Sequence, residues 1–169
     1  MEKDTKDWTW VLDRACPDCG FDPASVATAD LAELIHTNTR GWYDELDRRD
    51  VAVRPDPDVW SVLEYGCHVR DVHLLFAERL RLMLDADNPQ FANWDQDDTA
   101  LEKAYDQQVA HEVVVELVEA AADVAAIYAG VLDDQWHRQG RRSNGSVFTL
   151  ETLGRYHLHD VVHHLWDVR

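Results

Sequence analysis

Apolar residues recur every three or four positions through four long stretches of the chain, a pattern typical of amphipathic α-helices. The first stretch covers residues 25–49 and presents Leu31, Ile35 and Trp42 on one face. An acidic segment with two prolines follows it. Because proline disfavours helical backbone in the residue before it, this segment is predicted to be a loop that ends the first helix.

Two further helices are predicted in the middle of the chain. One runs from Asp58, a candidate N-cap, to about Leu84. The other opens at Thr99 and covers residues 100–132, which are rich in Ala, Val, Glu and Leu. Tyr105 and Val109 are among its expected core positions, and its glutamates are expected to form a solvated face.

Residues 133–148 interrupt the helical pattern, and Asn144-Gly145 within them favours a tight hairpin turn. Thr149 then suits the N-cap of a last helix, and Glu151 places a carboxylate in its first turn. Four long helices without a convincing run of strands predict an all-α four-helix bundle. We expect one domain over residues 25–169, preceded by an N-terminal arm over residues 1–24.

The balance of charged residues limits the kinds of molecule that the protein is expected to bind. The 169 residues include 16 basic and 33 acidic side chains, for a formal charge of −17. Such a charge argues against nucleic acids and anionic membranes as partners. No apolar leader segment and no run of about 18 apolar residues occurs, so we expect a cytoplasmic protein. Three cysteines in such a chain are expected to be reduced thiols.

The last predicted helix carries four histidines. His159 and His163 are four residues apart, so their imidazoles leave one helix face about 40° apart and can reach one divalent cation. His157 and His164 share a different face, so the four cannot ligate one ion. Packed or solvent-facing imidazoles are the alternative reading of this helix.

A catalytic metal site of this kind uses three protein ligands, so a third must come from another helix. The second predicted helix offers His68 and His73, which lie roughly 140° apart around its axis, so only one can join. Periodicity does not choose between them. On the last helix, Asp160 and Asp167 are candidates to orient an imidazole through a hydrogen bond.

Two other segments carry candidate chemistry. Cys16 and Cys19 have the spacing of half a zinc knuckle, but no second cysteine pair completes it. We therefore favour a simple packed arm over structural zinc or redox chemistry. Arg141 and Arg142 are candidates to bind a substrate carboxylate through paired hydrogen bonds, with a solvated loop as the alternative.

Two motifs resemble the DinB-like family, also called DinB/YfiT-like. They are Trp60-Ser61-Val62-Leu63-Glu64 followed by His68, and the closing His159-Asp160-Val161-Val162-His163-His164. The resemblance implies a four-helix bundle, a frequent homodimer, and a divalent metal ion held by His68, His159 and His163. The arm around Cys16 and the loop around Arg141 are similar to blocks in an actinobacterial branch, with no role attached.

The resemblance also implies candidate activities. Some relatives transfer small thiols such as bacillithiol, glutathione or mycothiol, and an open metal position lowers the pKa of a bound thiol. We therefore expect a metal-dependent transferase that acts on a small molecule, with zinc or nickel and a low-molecular-weight thiol as co-substrate. A non-catalytic, dimeric metal-binding bundle with a structural or stress-related role is the main alternative. A hydrolase with the same ligands is a third reading.

Overall fold

The computed structural model describes residues 7–169. Four long helices form the body, and the predicted all-α four-helix bundle is confirmed. α4 packs on α1 and α2, and α5 packs on the same two helices. The helices are α1 (Leu31–Leu46), α2 (Val62–Asp85), the short α3 (Gln96–Glu102), α4 (Ala110–Ala129) and α5 (Leu150–Asp167).

The start of α2 is fixed by a capping box rather than by Asp58. The Ser61 hydroxyl accepts a hydrogen bond from the Glu64 backbone N–H, and the Glu64 carboxylate accepts one from the Ser61 N–H. Two of the orphan N–H groups of the first turn are thereby satisfied. Arg54 forms an ion pair with the same carboxylate and ties the preceding loop to the helix. Thr149 caps α5, as predicted.

The prediction of one continuous third helix is wrong. Asp95 caps α3, which is only seven residues long. The chain then turns at Ala104, whose φ of 46° lies in the left-handed region. A 3₁₀ turn follows before α4 begins. Tyr105 is buried as expected, but Val109 is the N-cap residue of α4 and is 55% exposed.

A small three-stranded sheet packs against α2. β2 (Gln139–Arg142) and β3 (Val147–Thr149) form the antiparallel hairpin, whose turn contains Gly145 at φ +98°. β1 (Gln90–Phe91) pairs parallel with β2, so the segment after α2 is tied to the hairpin. The sheet lies directly on the bundle, because a side chain at Gly140 would meet Met83 at 2.7 Å.

The N-terminal arm packs against α5. A 3₁₀ turn over Thr9–Leu12 contacts this helix, and Val11, Cys16 and Phe21 are buried with the main core. Arg155 donates two hydrogen bonds to the Val26 carbonyl and fixes the end of the arm. Within residues 7–169, no helix has the length and apolar character needed to cross a membrane.

Candidate metal centres

Two pairs of potential metal ligands leave α5, and the second pair is shifted by one residue along the helix. His159 and His163 form one pair, and Asp160 and His164 form the other. Since one residue turns an α-helix by about 100°, the two pairs face different neighbours. The first pair meets the N-terminal arm, and the second meets α2.

The histidine–aspartate cluster consists of His68, Asp160 and His164, whose candidate donor atoms all lie within 4.8 Å of one another. His68 Nε2 is 3.5 Å from Asp160 Oδ1. His164 Nε2 is 3.6 Å from the same oxygen. The rings of His68 and His164 are perpendicular, with centroids 4.6 Å apart. Two imidazoles and one carboxylate therefore converge on one point.

Burial makes this cluster suited to a cation. His68 is fully buried between the rings of Trp60 and Trp94, both with centroids 5.3 Å away. Among residues 7–169, neither nitrogen of His68 nor Oδ1 of Asp160 has a hydrogen-bond partner. A buried polar atom without a partner costs about 1–3 kcal/mol, and a cation at their meeting point would satisfy the nitrogen and the oxygen that face each other.

Asp167 sets the orientation of one imidazole. Its Oδ2 is 2.8 Å from Nδ1 of His164. A carboxylate at this nitrogen favours the tautomer with the proton on Nδ1, which leaves the Nε2 lone pair directed at the cluster. This contact gives the proposed orienting role of Asp167 a geometric basis at His164. The other carboxylate oxygen of Asp167, Oδ1, is 3.7 Å from Nε2 of His163.

The charge states also suit cation binding. Burial raises the pKa of the Asp160 carboxyl, but the neighbouring His68 and His164 outweigh it and hold that pKa well below its usual value. Burial lowers the pKa of His68, so its imidazole is neutral near pH 7. An ionised carboxylate and a neutral imidazole are protonation states that metal ligation requires.

The cysteine–histidine cluster consists of Cys16, Cys19, His159 and His163, whose candidate donor atoms also lie within 4.8 Å of one another. Cys16 Sγ is 3.7 Å from His163 Nδ1. Burial raises the pKa of Cys19 to about 11 and lowers the pKa of His159 to about 4. The cysteines are free thiols.

The structure divides the predicted set of His68, His159 and His163 between these two clusters. His68 meets Asp160 and His164 instead, which sequence reasoning had assigned to orienting or packing roles. The missed signal was the second i, i+4 pair in the same motif. His73 joins neither cluster, because it lies inside the core with its Nδ1 3.0 Å from Nε2 of His157. Burial there lowers the pKa of His73 to about 3.

A pocket of about 830 Å³ opens beside the histidine–aspartate cluster, with Asp160, His164 and Tyr156 in its wall. Its lining is rich in aromatic side chains and in carboxylates. The lining also includes His159 and His163 of the last helix, together with Asp58, Tyr65, Phe76, Arg79, Trp94, Asp95, Asp97 and Arg142.

Two arginines supply positive charge in this largely acidic pocket. Arg79 is buried, donates to the Ala92 carbonyl through Nη2 and stacks over Phe91 at 4.9 Å. Its Nε has no hydrogen-bond partner among the described residues, and burial lowers its pKa to about 10. Arg142 lies over Tyr156 at 5.7 Å. Arg141, the other predicted arginine, is exposed and bonds Asn88 outside the pocket lining.

The protein is thus a four-helix bundle that carries two clusters of potential metal ligands. The family model of the DinB superfamily matches residues 32–168, so the chain belongs to that superfamily. Its fold is similar to that of YfiT from Bacillus subtilis, described as a probable metal-dependent hydrolase with an unusual four-helix bundle topology. That match has a TM-score of 0.74 at 18% identity and covers 85% of this chain and 88% of YfiT. No curated protein sequence matches significantly.

Proposed function

We propose that the protein is a divalent-metal-dependent enzyme whose ion is held by His68, Asp160 and His164. The observation that carries the proposal is the convergence of these three side chains at the wall of a pocket, with His68 and Asp160 atoms that lack hydrogen-bond partners among residues 7–169. This ligand set replaces the predicted three-histidine set and retains His68 from it.

The donor set fits a catalytic ion. Two imidazoles and one carboxylate occur in hydrolytic zinc sites and in non-haem iron sites, where open positions remain for a substrate. When bound, such an ion acts as a Lewis acid and lowers the pKa of a thiol or water that it binds. Asp167 holds His164 in the orientation that this ligation needs.

The pocket favours a small substrate with an apolar part and one acidic group. The guanidinium groups of Arg142 and Arg79 in the lining can bind a carboxylate, while Phe76 and Trp94 offer apolar surface. Asp58, Asp95 and Asp97 in the lining favour a cationic group elsewhere on the same molecule. Burial raises the pKa of Tyr65 to about 12, so its phenol stays protonated and can donate a hydrogen bond to the substrate.

A peptide-like small thiol that carries both an amine and a carboxylate meets these requirements. We therefore propose thiol transfer to an electrophile as the reaction, in line with the activities that the family resemblance implies. Hydrolysis at the same site is the second candidate, because YfiT, which shares the fold, is described as a probable metal-dependent hydrolase. The homodimer, the cytoplasmic location and the absence of nucleic-acid or membrane partners stay predictions.

The metal part of the proposal is tested by replacing ligands one at a time. We expect His68→Ala and His164→Ala to lower the affinity for zinc and nickel, measured by competition with a chromogenic chelator. His111→Ala, which removes an exposed histidine of α4, is the matched control and should bind like wild type. Wild-type affinity in both ligand variants would overturn the assignment.

The catalytic part needs a screen on metal-loaded protein. Glutathione-like and amine-bearing small thiols are paired with chloro-aromatic and epoxide electrophiles, and a parallel set contains activated esters and amides. Turnover of the thiol pairs that is lost in His164→Ala supports thiol transfer. Turnover of the esters or amides alone assigns hydrolysis instead. Tight metal binding without turnover in either set would leave a non-catalytic metal-binding bundle.

A further inference from the structure

The cysteine–histidine cluster is not used by the proposed activity, although it combines four good metal ligands. Cys16 and Cys19 come from the arm, and His159 and His163 come from α5. Two thiolates and two imidazoles are a donor set of structural zinc sites, in which the tetrahedral shell is closed by protein ligands. The sequence does not show these four residues as one motif, because 139 residues lie between Cys19 and His159.

We infer that Cys16, Cys19, His159 and His163 form a second, structural zinc site that fastens the N-terminal arm to α5. The zinc ion replaces the thiol protons of both cysteines, which pass to solvent, and no oxidant or reductant is needed. This site is separate from the histidine–aspartate cluster, with which it shares no ligand.

Backbone hydrogen bonds close the loop that carries both cysteines, whose sulfur atoms lie within 4.8 Å of each other. The Cys16 N–H donates to the Phe21 carbonyl at 2.8 Å, and the Gly20 N–H donates to the Cys16 carbonyl at 3.0 Å. Gly20 has φ +75°, which side-chain-bearing residues rarely adopt, so glycine suits the turn after Cys19. These backbone contacts fix the loop that carries both cysteines.

The histidine side of the cluster has an unsatisfied atom. His159 is 4% exposed, and its Nε2 has no hydrogen-bond partner among residues 7–169. The ring is enclosed by Phe21 at 5.4 Å and Trp8 at 6.2 Å. A buried imidazole nitrogen without a partner is costly, and zinc at the centre of the cluster would satisfy it.

The two clusters are linked through α5. His159 is adjacent to Asp160 and His163 is adjacent to His164, so an ion that fixes the first pair also fixes the rotation of the helix face that carries the second. We expect the zinc site to position Asp160 and His164, and two of its own ligands, His159 and His163, lie in the wall of the same pocket.

Sulfur ligation distinguishes this site from the proposed catalytic one. X-ray absorption at the zinc edge of wild-type protein should show Zn–S distances of about 2.3 Å together with Zn–N distances of about 2.0–2.1 Å. Cobalt-substituted protein should show a sulfur-to-cobalt charge-transfer band. Cys16→Ser and Cys19→Ser should each lose one bound ion per chain and the band, whereas Cys67→Ser, the matched control on α2, should keep both.

Thermal unfolding supplies a readout that does not depend on spectroscopy. A strong chelator should lower the Tm of wild type and of Cys67→Ser by more than it lowers the Tm of Cys19→Ser, which holds only the ion of the histidine–aspartate cluster. Sulfur-free zinc ligation in wild type would overturn the inference while leaving the His68 site intact. A disulfide between Cys16 and Cys19 in protein purified with a non-thiol reductant would also overturn it. Ligation by sulfur with no second ion would support the inference and remove the proposed catalytic ion.

Discussion

Nε2 of His68, on α2, lies 3.5 Å from Oδ1 of Asp160, on α5, so a buried imidazole and a carboxylate from two helices face each other. Asp160→Asn keeps the size of this side chain and removes its charge. We expect it to weaken zinc binding at the histidine–aspartate cluster at least about 100-fold, the upper end of the loss typical of residues that only orient a ligand. Isothermal titration of zinc into protein that retains the cysteine–histidine site measures the loss.

Asp44→Asn, which neutralises an exposed carboxylate on α1, controls for the change in net charge. It should bind zinc like wild type. If Asp160→Asn also retained wild-type affinity, Asp160 would not be a ligand.

The site could be predicted from sequence only in part. The spacing of His159 and His163 correctly indicates a pair on one helix face, but Asp160 and His164 have the same spacing. Which pair meets α2 and which meets the arm depends on the rotation of α5 in the bundle. That rotation is set by packing of distant residues, and a local pattern does not contain it.

Asp71 is the centre of a buried network that joins α2 to the segment after α3. Its carboxylate accepts hydrogen bonds from Arg70 at 3.0 Å, Lys103 at 2.8 Å and Tyr105 at 2.5 Å. Asp71→Asn removes the charge that accepts these three hydrogen bonds, while Arg70 keeps its ion pair with Glu116 at 2.6 Å. A buried hydrogen-bonding group that loses its partner costs about 1–3 kcal/mol. We expect a loss of this size in urea unfolding.

Asp123→Asn is the matched control for Asp71. It removes an ion pair with Arg81 at 2.6 Å, in which both side chains are about half exposed. Exposed pairs contribute less than about 1 kcal/mol, so this variant should unfold close to wild type. Equal losses in the two variants would contradict the importance of the Asp71 network.

Because the pKa of Asp71 is shifted in the folded protein, we expect the free energy of unfolding to depend on pH. Burial raises the pKa of Asp71, but hydrogen bonds from Lys103 and Tyr105 and the charge of Arg70 outweigh it, so the pKa lies below its usual value. The folded state therefore binds this proton less readily than the unfolded chain does. The stabilisation is complete above the unfolded pKa of about 3.9 and is lost as pH falls below it.

Chemical unfolding from pH 6 to pH 2 tests this dependence. Wild type should lose more stability than Asp71→Asn below about pH 4, so the difference between them should narrow. A constant difference across that range would show that Asp71 does not titrate on unfolding.

The fold shows the same limits of sequence reasoning. Apolar periodicity predicts the four long helices well, because each buries one face in the core. The break at Ala104 was missed, since alanine favours helix and its left-handed backbone is stabilised by the distant contact between Tyr105 and Asp71. The strand Gln90–Phe91 was also missed, because two residues are too short to show alternation.

Gly154 marks a close approach of α5 to buried side chains of the bundle. A side-chain carbon at this position would lie 2.6 Å from Leu31 Cδ1 and 3.2 Å from Tyr128 Cε1, both on buried residues. Overpacking costs about 1–3 kcal/mol, and alanine returns about 0.5–1 kcal/mol through its helix propensity. We expect Gly154→Ala to lower the free energy of unfolding by about 1 kcal/mol.

Gly130→Ala, at the end of α4, is the matched control. Its added carbon would meet only backbone oxygens at 3.5 Å, an ordinary contact, and its φ of −91° suits alanine. This variant should be as stable as wild type or slightly more stable, because alanine reduces the entropy of the unfolded chain. Urea unfolding of both variants measures the difference, and a Gly154→Ala protein as stable as Gly130→Ala would mean that α5 can move away from Leu31 at little cost.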